Sequence, residues 1–208
     1  GAVRLDATEI EGQLWLYAAW VSERPSTTPA TPPYQQPLFA AVNPLAPDQL
    51  ANPHQIFQGV NAVRWSSEDT PFDAGLRQTI AITDTTNTII VTAQGLDETA
   101  VPTEMSLHLG LDPIGGSNPD SPDVIWSAPD APVSFTQFSV SVPAQGNTAT
   151  VFLRGTFNGS NVAGTAVWDA VTIQNGSGTN LDFESSFITQ DSLTVPEGWA
   201  AWYQDSGS

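Results

Sequence analysis

The chain has 208 residues, with 22 Asp and Glu, five Arg and neither Lys nor Cys, and its formal net charge is −17. So acidic a surface repels nucleic-acid phosphates and anionic lipid headgroups, and no segment is apolar for long enough to span a membrane. We therefore expect no nucleic-acid binding and no membrane insertion. Without Cys, any metal must be bound by oxygen or by the two His residues.

The composition predicts a globular, all-β protein. Apolar residues make up 40% of the chain and include seven Trp, enough for a sizeable core. Gly and Pro, 16 and 17 in number, separate short runs rich in β-branched residues. At this length we expect one large β-sandwich.

Residues 13–21 are apolar on both faces and predict a strand that is covered on both sides. The prolines from Pro25 to Pro53 predict a long irregular loop. The run 105–111 alternates strictly, which places His108 on the face opposite the four apolar residues of that run. The other strands that we predict are 62–65, 78–82, 88–92, 138–142, 150–154 and 166–173.

About eight or nine short strands are typical of a jelly-roll β-sandwich. Residues 175–179 read Asn-Gly-Ser-Gly-Thr, which predicts a linker. We therefore expect a sandwich domain over residues 1–178 and a C-terminal extension over residues 179–208. Because the chain begins at Gly1, we interpret it as a processed secreted chain or an excised segment.

Several blocks of the sequence carry a resemblance to a known family. They are residues 109–127, Leu-Gly-Leu-Asp-Pro-Ile-Gly-Gly-Ser-Asn-Pro-Asp-Ser-Pro-Asp-Val-Ile-Trp-Ser, together with residues 150–155, 167–171 and 72–78. This pattern resembles the carbohydrate-binding-module-like jelly-roll domains of bacterial extracellular surface proteins. The resemblance implies a jelly-roll fold and a location outside the cell or at its surface.

One part of this pattern is displaced. Residues 180–184 (Asn-Leu-Asp-Phe-Glu) and 195–199 (Val-Pro-Glu-Gly-Trp) resemble the opening of such domains, yet they stand at the C-terminus. The run Tyr-Ala-Ala-Trp at 17–20 is a weaker echo of Trp-Ala-Ala-Trp at 199–202. The extension can fold back onto its own domain, or it can donate a strand to a neighbouring copy.

Our main hypothesis is strand donation in trans. It makes the chain an extracellular structural subunit that assembles head-to-tail with other copies of itself into a filament or surface array, because a heterologous contact that does not close propagates. The extension side chains that would fill the neighbour are Phe183, Phe187, Leu193, Trp199 and Trp202.

Two places could bind structural calcium. In the loop 112–123, oxygen ligands come from Asp112, Asn118, Asp120 and Asp123, although Asp and Asn beside Pro or Gly are also ordinary turn formers. Separately, the family resemblance implies a calcium ion between Glu184 and Asp169.

The alternative function is a non-catalytic carbohydrate-binding module with a polysaccharide partner. Aromatic side chains can stack on sugar rings, but in a sandwich they also fill the core. The candidate aromatic residues are Trp15, Tyr17, Trp65 and Trp168, on strands predicted above, and Trp126. We expect no enzyme, because the sequence has no nucleophile elbow, phosphate-binding Gly-rich loop or zinc-protease motif.

Overall fold

The structure is a computed structural model that describes residues 2–10, 13–21, 34–43, 53–99, 101–159 and 162–205. The chain divides into two compact units, residues 1–32 and residues 33–208. No helix long and apolar enough to cross a membrane occurs in the described ranges.

The first unit contains an antiparallel pair of strands, β1 (Ala2–Ile10) and β2 (Gln13–Val21). Their register aligns Ala2 with Val21 and Ile10 with Gln13. The second strand coincides with the apolar run that the sequence predicted, whereas the first was not predicted. Only the backbone pairing of these strands is described.

The second unit contains two larger sheets, of which the first has six strands. Its main strands are β5 (Phe72–Ile82), β10 (Thr148–Phe157), β7 (Met105–Asp112) and β8 (Ile125–Trp126), in that spatial order and antiparallel throughout. Two short strands share the other edge of β5. They are β12 (Gly176–Ser177) and β15 (Ala200–Tyr203).

The second sheet has five antiparallel strands. In spatial order they are β3 (Leu38–Val42), β4 (Ala62–Ser67), β11 (Gly164–Gln174), β6 (Thr88–Asp97) and β9 (Thr136–Pro143). Short 3-10 turns lie at Pro53–Gln55 and Pro102–Glu104. A small hairpin of β13 (Phe187–Gln190) and β14 (Leu193–Pro196) completes the unit.

The two sheets pack face to face, so the predicted all-β sandwich is confirmed. Several strands alternate inward apolar and outward polar residues, as a half-buried strand must, whereas β5, β10 and β11 contain runs of consecutive buried residues. In β9, Phe138, Val140 and Val142 point inward, and the residues between them are exposed. The alternation predicted for 105–111 holds in β7, where Leu107 and Leu109 are fully buried.

The structure differs from the prediction around the prolines. The segment from Pro25 to Pro53 was expected to be irregular throughout, yet β3 lies within it. This short run, Leu-Phe-Ala-Ala-Val, is free of proline and pairs along β4, so a neighbouring strand supplies the hydrogen bonds that local sequence did not reveal.

The C-terminal extension folds onto its own chain. Strand β15 pairs with β5, with Trp202 opposite Gly75 and Ala200 opposite Arg77. The β13–β14 hairpin contributes Leu193 and Val195 to the core between the sheets. The extension therefore pairs with a strand of its own sandwich.

Strand donation to a neighbour is accordingly not supported, and this corrects our main hypothesis. Of the five predicted assembly residues, Phe183, Leu193, Trp199 and Trp202 are buried within their own chain, and Phe187 is partly buried against the same core. Trp199 also donates its indole N–H to the carbonyl of Asn180, 3.1 Å away. Residues 179–208 thus belong to the same compact unit as the sandwich, and the division of the chain falls after Pro32, not at the Gly-Ser linker.

Candidate functional site

Asp169 and Glu184, paired by the family resemblance, bind the same short loop. Asp169 lies on β11 at an irregularity of its pairing with β6 and is fully buried. Its Oδ2 accepts hydrogen bonds from the backbone N–H groups of Phe57 and Gln58, at 2.9 and 3.0 Å. The Glu184 carboxylate accepts from the N–H groups of Val60 and Asn61 at 3.0 to 3.1 Å. Loop 57–61 therefore joins the extension to the second sheet.

The electrostatics of this place follow from burial. Desolvation raises the pKa of Asp169 to about 6, and the nearby negative charge of Glu184 adds to the effect. The three N–H groups that Asp169 accepts from, those of Phe57, Gln58 and Ala170, act in the opposite direction.

These residues do not fit a calcium ion. Calcium takes about six to eight oxygen ligands. The loop instead turns N–H groups toward both carboxylates. Within the described residues, no group of three or more His, Asp or Glu side chains lies close enough to hold a metal. Calcium binding is therefore not supported between Asp169 and Glu184.

The loop 112–123 uses its acidic side chains as turn formers. Asp112 accepts from the N–H of Ile114 and Asn118 from the N–H of Asp120, at 2.9 and 3.0 Å. Asp123 accepts from the hydroxyl of Ser121. Asp112 is buried, whereas Asp120 is exposed and faces β10 and the extension. Asp112, Asn118 and Asp123 thus serve separate turns, and Asp120 contacts Arg154 and Gln204 instead, so these contacts explain the four predicted ligands and the calcium interpretation is not supported.

The predicted sugar-binding aromatics separate into two groups. Trp65 and Trp168 are fully buried in the core between the sheets, so neither can contact a sugar. Trp126 on β8 is only partly buried. Trp15 and Tyr17 lie on β2, and their side chains fall outside the described part of the chain. Of the described candidates, Trp126 alone faces solvent.

Trp126 belongs to an aromatic and charged cluster on the outer face of the six-stranded sheet, which we call the Arg154 face. The Arg154 guanidinium carbon lies 5.3 Å from the ring centre of Trp126 and 5.7 Å from that of Trp202. His108 meets Trp126 edge-on, with ring centres 6.0 Å apart. Trp202, Phe152 and Val124 form a small buried cluster, against which Trp126 packs.

The strand register explains why these side chains meet. Arg154 and Phe152 alternate with inward residues on β10, and Arg154 pairs with His108 of β7. Gly110 of β7 leaves room for Trp126, because a Cβ there would lie 2.6 Å from its ring. Glycine is the one residue without that Cβ, so it permits this close approach.

Arg154 is held in place by a buried carboxylate. Asp73 on β5 is 2% exposed and accepts from both Nε, at 2.8 Å, and Nη2 of Arg154. Although burial disfavours the charge of Arg154, the hydrogen bond and attraction of Asp73 keep its pKa above the ordinary value. Asp120 lies 3.9 Å from Nη2 on the exposed side. Such a two-pronged pair fixes the guanidinium plane.

His108 contributes a neutral polar edge. Burial, and then the positive charge of Arg154, lower the pKa of His108 below its ordinary value. The ring is therefore uncharged near pH 7, with Nε2 2.9 Å from the hydroxyl of Ser106. Such a ring can both donate and accept hydrogen bonds.

Sequence reasoning found Trp126 but missed Asp73, Arg154 and Trp202 as its neighbours. One signal was available for Arg154. In the predicted strand 150–154, Val151 and Leu153 alternate with Arg154, which places the arginine on the solvent face. Asp73 on β5 and Trp202 on β15 join the cluster only through pairing between distant segments, which no local sequence pattern predicts.

A separate groove lies elsewhere, over β3, β4 and β11. Its volume is about 560 Å³, and its lining includes Arg64, Ser66, Glu68 and Thr165. It has no aromatic lining residue. It therefore lacks the flat apolar surface that distinguishes the Arg154 face.

Comparison with known proteins gave limited similarity. No family model and no curated protein matches the chain. One similar solved structure is TmCBM61 in complex with β-1,4-galactotriose, with 12% identity, a TM-score of 0.47, and coverage of 66% of this chain and 81% of that one. Another, solved to explain the promiscuous specificity of carbohydrate-binding modules of the β-sandwich superfamily, has 13% identity, a TM-score of 0.44, and coverage of 67% and 54%.

Proposed function

We propose that this chain is a non-catalytic carbohydrate-binding module and that the Arg154 face binds the glycan. The single observation that carries the proposal is the partly exposed ring of Trp126, flanked by the polar side chains of Arg154 on β10 and His108 on β7. A pyranose presents C–H groups on one face and hydroxyls at its rim, so it needs an aromatic surface with polar neighbours.

The polar neighbours are held rigid before any ligand binds. Arg154 is fixed by Asp73, and His108 is oriented by Ser106 and by the Trp126 edge. Side chains already ordered cost less conformational entropy on binding. This preorganisation supports ligand binding as the use of the face.

The charges on the face favour neutral sugars. Its guanidinium is neutralised by Asp73 and approached by Asp120, and the chain as a whole carries a net charge of −17. Uronates and sulfated glycans would therefore be repelled. We place this role outside the cell, where polysaccharides are accessible and where the family resemblance locates such domains.

The test is retention of the full chain in affinity electrophoresis on neutral polysaccharides (β-1,4-galactan, xylan, cellulose derivatives and β-1,3-glucan) and on acidic ones (polygalacturonate and alginate). We expect retention by at least one neutral polymer and by neither acidic polymer. Trp126→Ala should lose retention by about tenfold or more, as expected when a central aromatic contact is removed.

Phe57→Ala is the matched control, because Phe57 is 49% exposed and lies outside the Arg154 face. It removes an exposed aromatic ring and should leave retention unchanged. The proposal is wrong if no neutral polysaccharide retains the wild-type chain. It is also wrong if Trp126→Ala and Phe57→Ala are retained equally.

A further inference from the structure

The C-terminal extension forms one wall of the Arg154 face. Trp202 is 7% exposed and packs on Phe152 and Val124, and its ring stands beside Arg154 on the side opposite Trp126. A face built without the extension would keep Trp126 but lose the second aromatic wall. The position of β15 therefore determines whether the face is complete.

One buried side chain ties both ends of the segment that precedes β15. Gln78 on β5 is 4% exposed. Its Nε2 donates to the carbonyls of Thr179 and Gly198, at 2.7 and 3.0 Å, and its Oε1 accepts from the N–H of Thr179 at 2.8 Å. The residues that flank the segment 180–197 are therefore both hydrogen-bonded to the side-chain amide of Gln78.

Beyond Gly198 the extension is fixed directly onto the residues of the face. The N–H of Gln204 donates to the carbonyl of Asp73, and its side-chain amide donates to Asp120, both at 2.8 Å. Asp73 is the partner of Arg154, so the same strand end contacts the backbone of the residue that holds the guanidinium.

The register of β15 has a direct consequence for Trp202. Successive side chains of a strand point to opposite faces, so a slip by one residue would turn Trp202 away from Arg154. Strand β15 has only four residues, so its few backbone hydrogen bonds to β5 do little to prevent such a slip. The Gln78 amide fixes the chain immediately before it.

We infer that Gln78 is a positioning residue for glycan binding. By holding Thr179 and Gly198 together, it sets the register of β15 and thereby places Trp202 against Arg154 and Trp126. The inference rests on the proposed function of the Arg154 face. It makes residues 179–204 part of the binding apparatus, although they follow the sandwich strands in sequence.

The experiment compares two full-length variants, Gln78→Met and Gln55→Met. Each replaces a buried glutamine with a side chain of similar volume and removes its hydrogen bonds. Gln55 is 5% exposed and bonds to Arg64 on β4 and to Glu98 just after β6, both at the other sheet and far in the topology from β15. Both variants should lose melting temperature, so stability alone does not distinguish them.

Two readouts separate positioning from general destabilisation. Amide hydrogen exchange at residues 201–204 should accelerate by about tenfold or more in Gln78→Met and stay near wild type in Gln55→Met, because only the first loosens β15 locally. Retention on the neutral polysaccharides named above should fall by about tenfold in Gln78→Met and by less than about twofold in Gln55→Met.

The inference is overturned if the two variants lose retention equally, or if exchange at 201–204 rises in Gln78→Met while retention is unchanged. In the second case the extension is not part of the binding face. If the wild-type chain binds no polysaccharide, the proposed function fails. The exchange comparison then still decides whether Gln78 holds β15 in place, and equal exchange in both variants would reject that as well.

Discussion

The buried carboxylate of Asp169 should make the stability of the fold depend on pH in a defined direction. Asp169 is fully buried, and its pKa rises from 3.8 to about 6, chiefly by desolvation. Between these two pH values, Asp169 is therefore protonated in the folded chain and ionised in the unfolded chain. By linkage, the free energy of unfolding falls as pH rises through this window.

The magnitude follows from the size of the shift. One pKa unit corresponds to about 1.4 kcal/mol, so a rise from 3.8 to about 6 amounts to roughly 3 kcal/mol. This contribution is fully present below pH 4, decreases between pH 4 and 6, and is absent above the folded-state pKa. Other carboxylates titrate in the same range, so the effect must be isolated by a variant.

The variant is Asp169→Asn, which keeps the size of the side chain and removes its titration. The amide N–H₂ cannot accept from peptide N–H groups, so the variant also loses hydrogen bonding at every pH. That loss is independent of pH and cancels when the difference between variant and wild type is followed across pH. Unfolding free energies from urea titrations in the presence of a chelator should give a difference, variant minus wild type, that rises by about 2.5 kcal/mol from pH 4 to pH 7.

Asp84→Asn is a control of opposite sign. Hydrogen bonds from Thr86, and then from Asn87, lower the pKa of the exposed Asp84. Its contribution is present above its ordinary pKa and is lost as pH falls, so the difference for this variant should fall slightly with rising pH. A flat or falling difference for Asp169→Asn would refute the reasoning, because it would show that burial does not destabilise the ionised carboxylate.

Three further predictions concern the extension and calcium. Phe183→Ala should reduce the free energy of unfolding by about 3 to 5 kcal/mol in a urea titration, because the ring is fully buried, and a loss below about 1 kcal/mol would mean that the extension is not docked. Calcium chloride should raise the melting temperature no more than magnesium chloride at equal ionic strength, and a larger rise would restore the predicted calcium site. In this Cys-free chain, Arg77→Cys with Ala200→Cys should form an intramolecular disulfide on oxidation. Mixed single-cysteine chains should form few dimers, and abundant dimers would show exchange of the extension between copies.

Much of the sandwich could be predicted because its strands carry local signals. The run from Met105 to Leu111 alternates strictly, and burial follows that alternation from Met105 to Leu109. By contrast, the run 72–77 was not predicted as a strand, because it contains the charged Asp73 and Arg77 and the strand-disfavouring Gly75. It belongs to β5 because β10 and β15 pair on its two sides, and Asp73 is stabilised there by Arg154. Such stabilisation depends on partners about 80 to 130 residues away, which no local window contains.

The binding face was harder to predict than the fold for the same reason. The candidate tryptophans look alike in the sequence, yet Trp168 and Trp65 point between the sheets and Trp126 points out. Whether a strand side chain points into or out of the sandwich depends on its position in the alternating pattern. The two-residue strand β8 is too short to show such a pattern. Arg154 was the better signal, because a charged residue within an apolar alternating run must face outward.

The extension docks on its own chain because a short linker joins it covalently to the sandwich. The contacts made by Phe183, Trp199 and Trp202 would be the same in a neighbour, so the sequence alone could not distinguish the two arrangements. The difference is entropic. A segment joined by a short linker experiences a local concentration of roughly millimolar at its own edge, whereas another copy competes only at its concentration in solution. The amide of Gln78 strengthens the preference, because it bonds at once to Thr179, next to the linker, and to Gly198, before β15. Exchange between copies therefore requires the same side chain to release both ends of the extension.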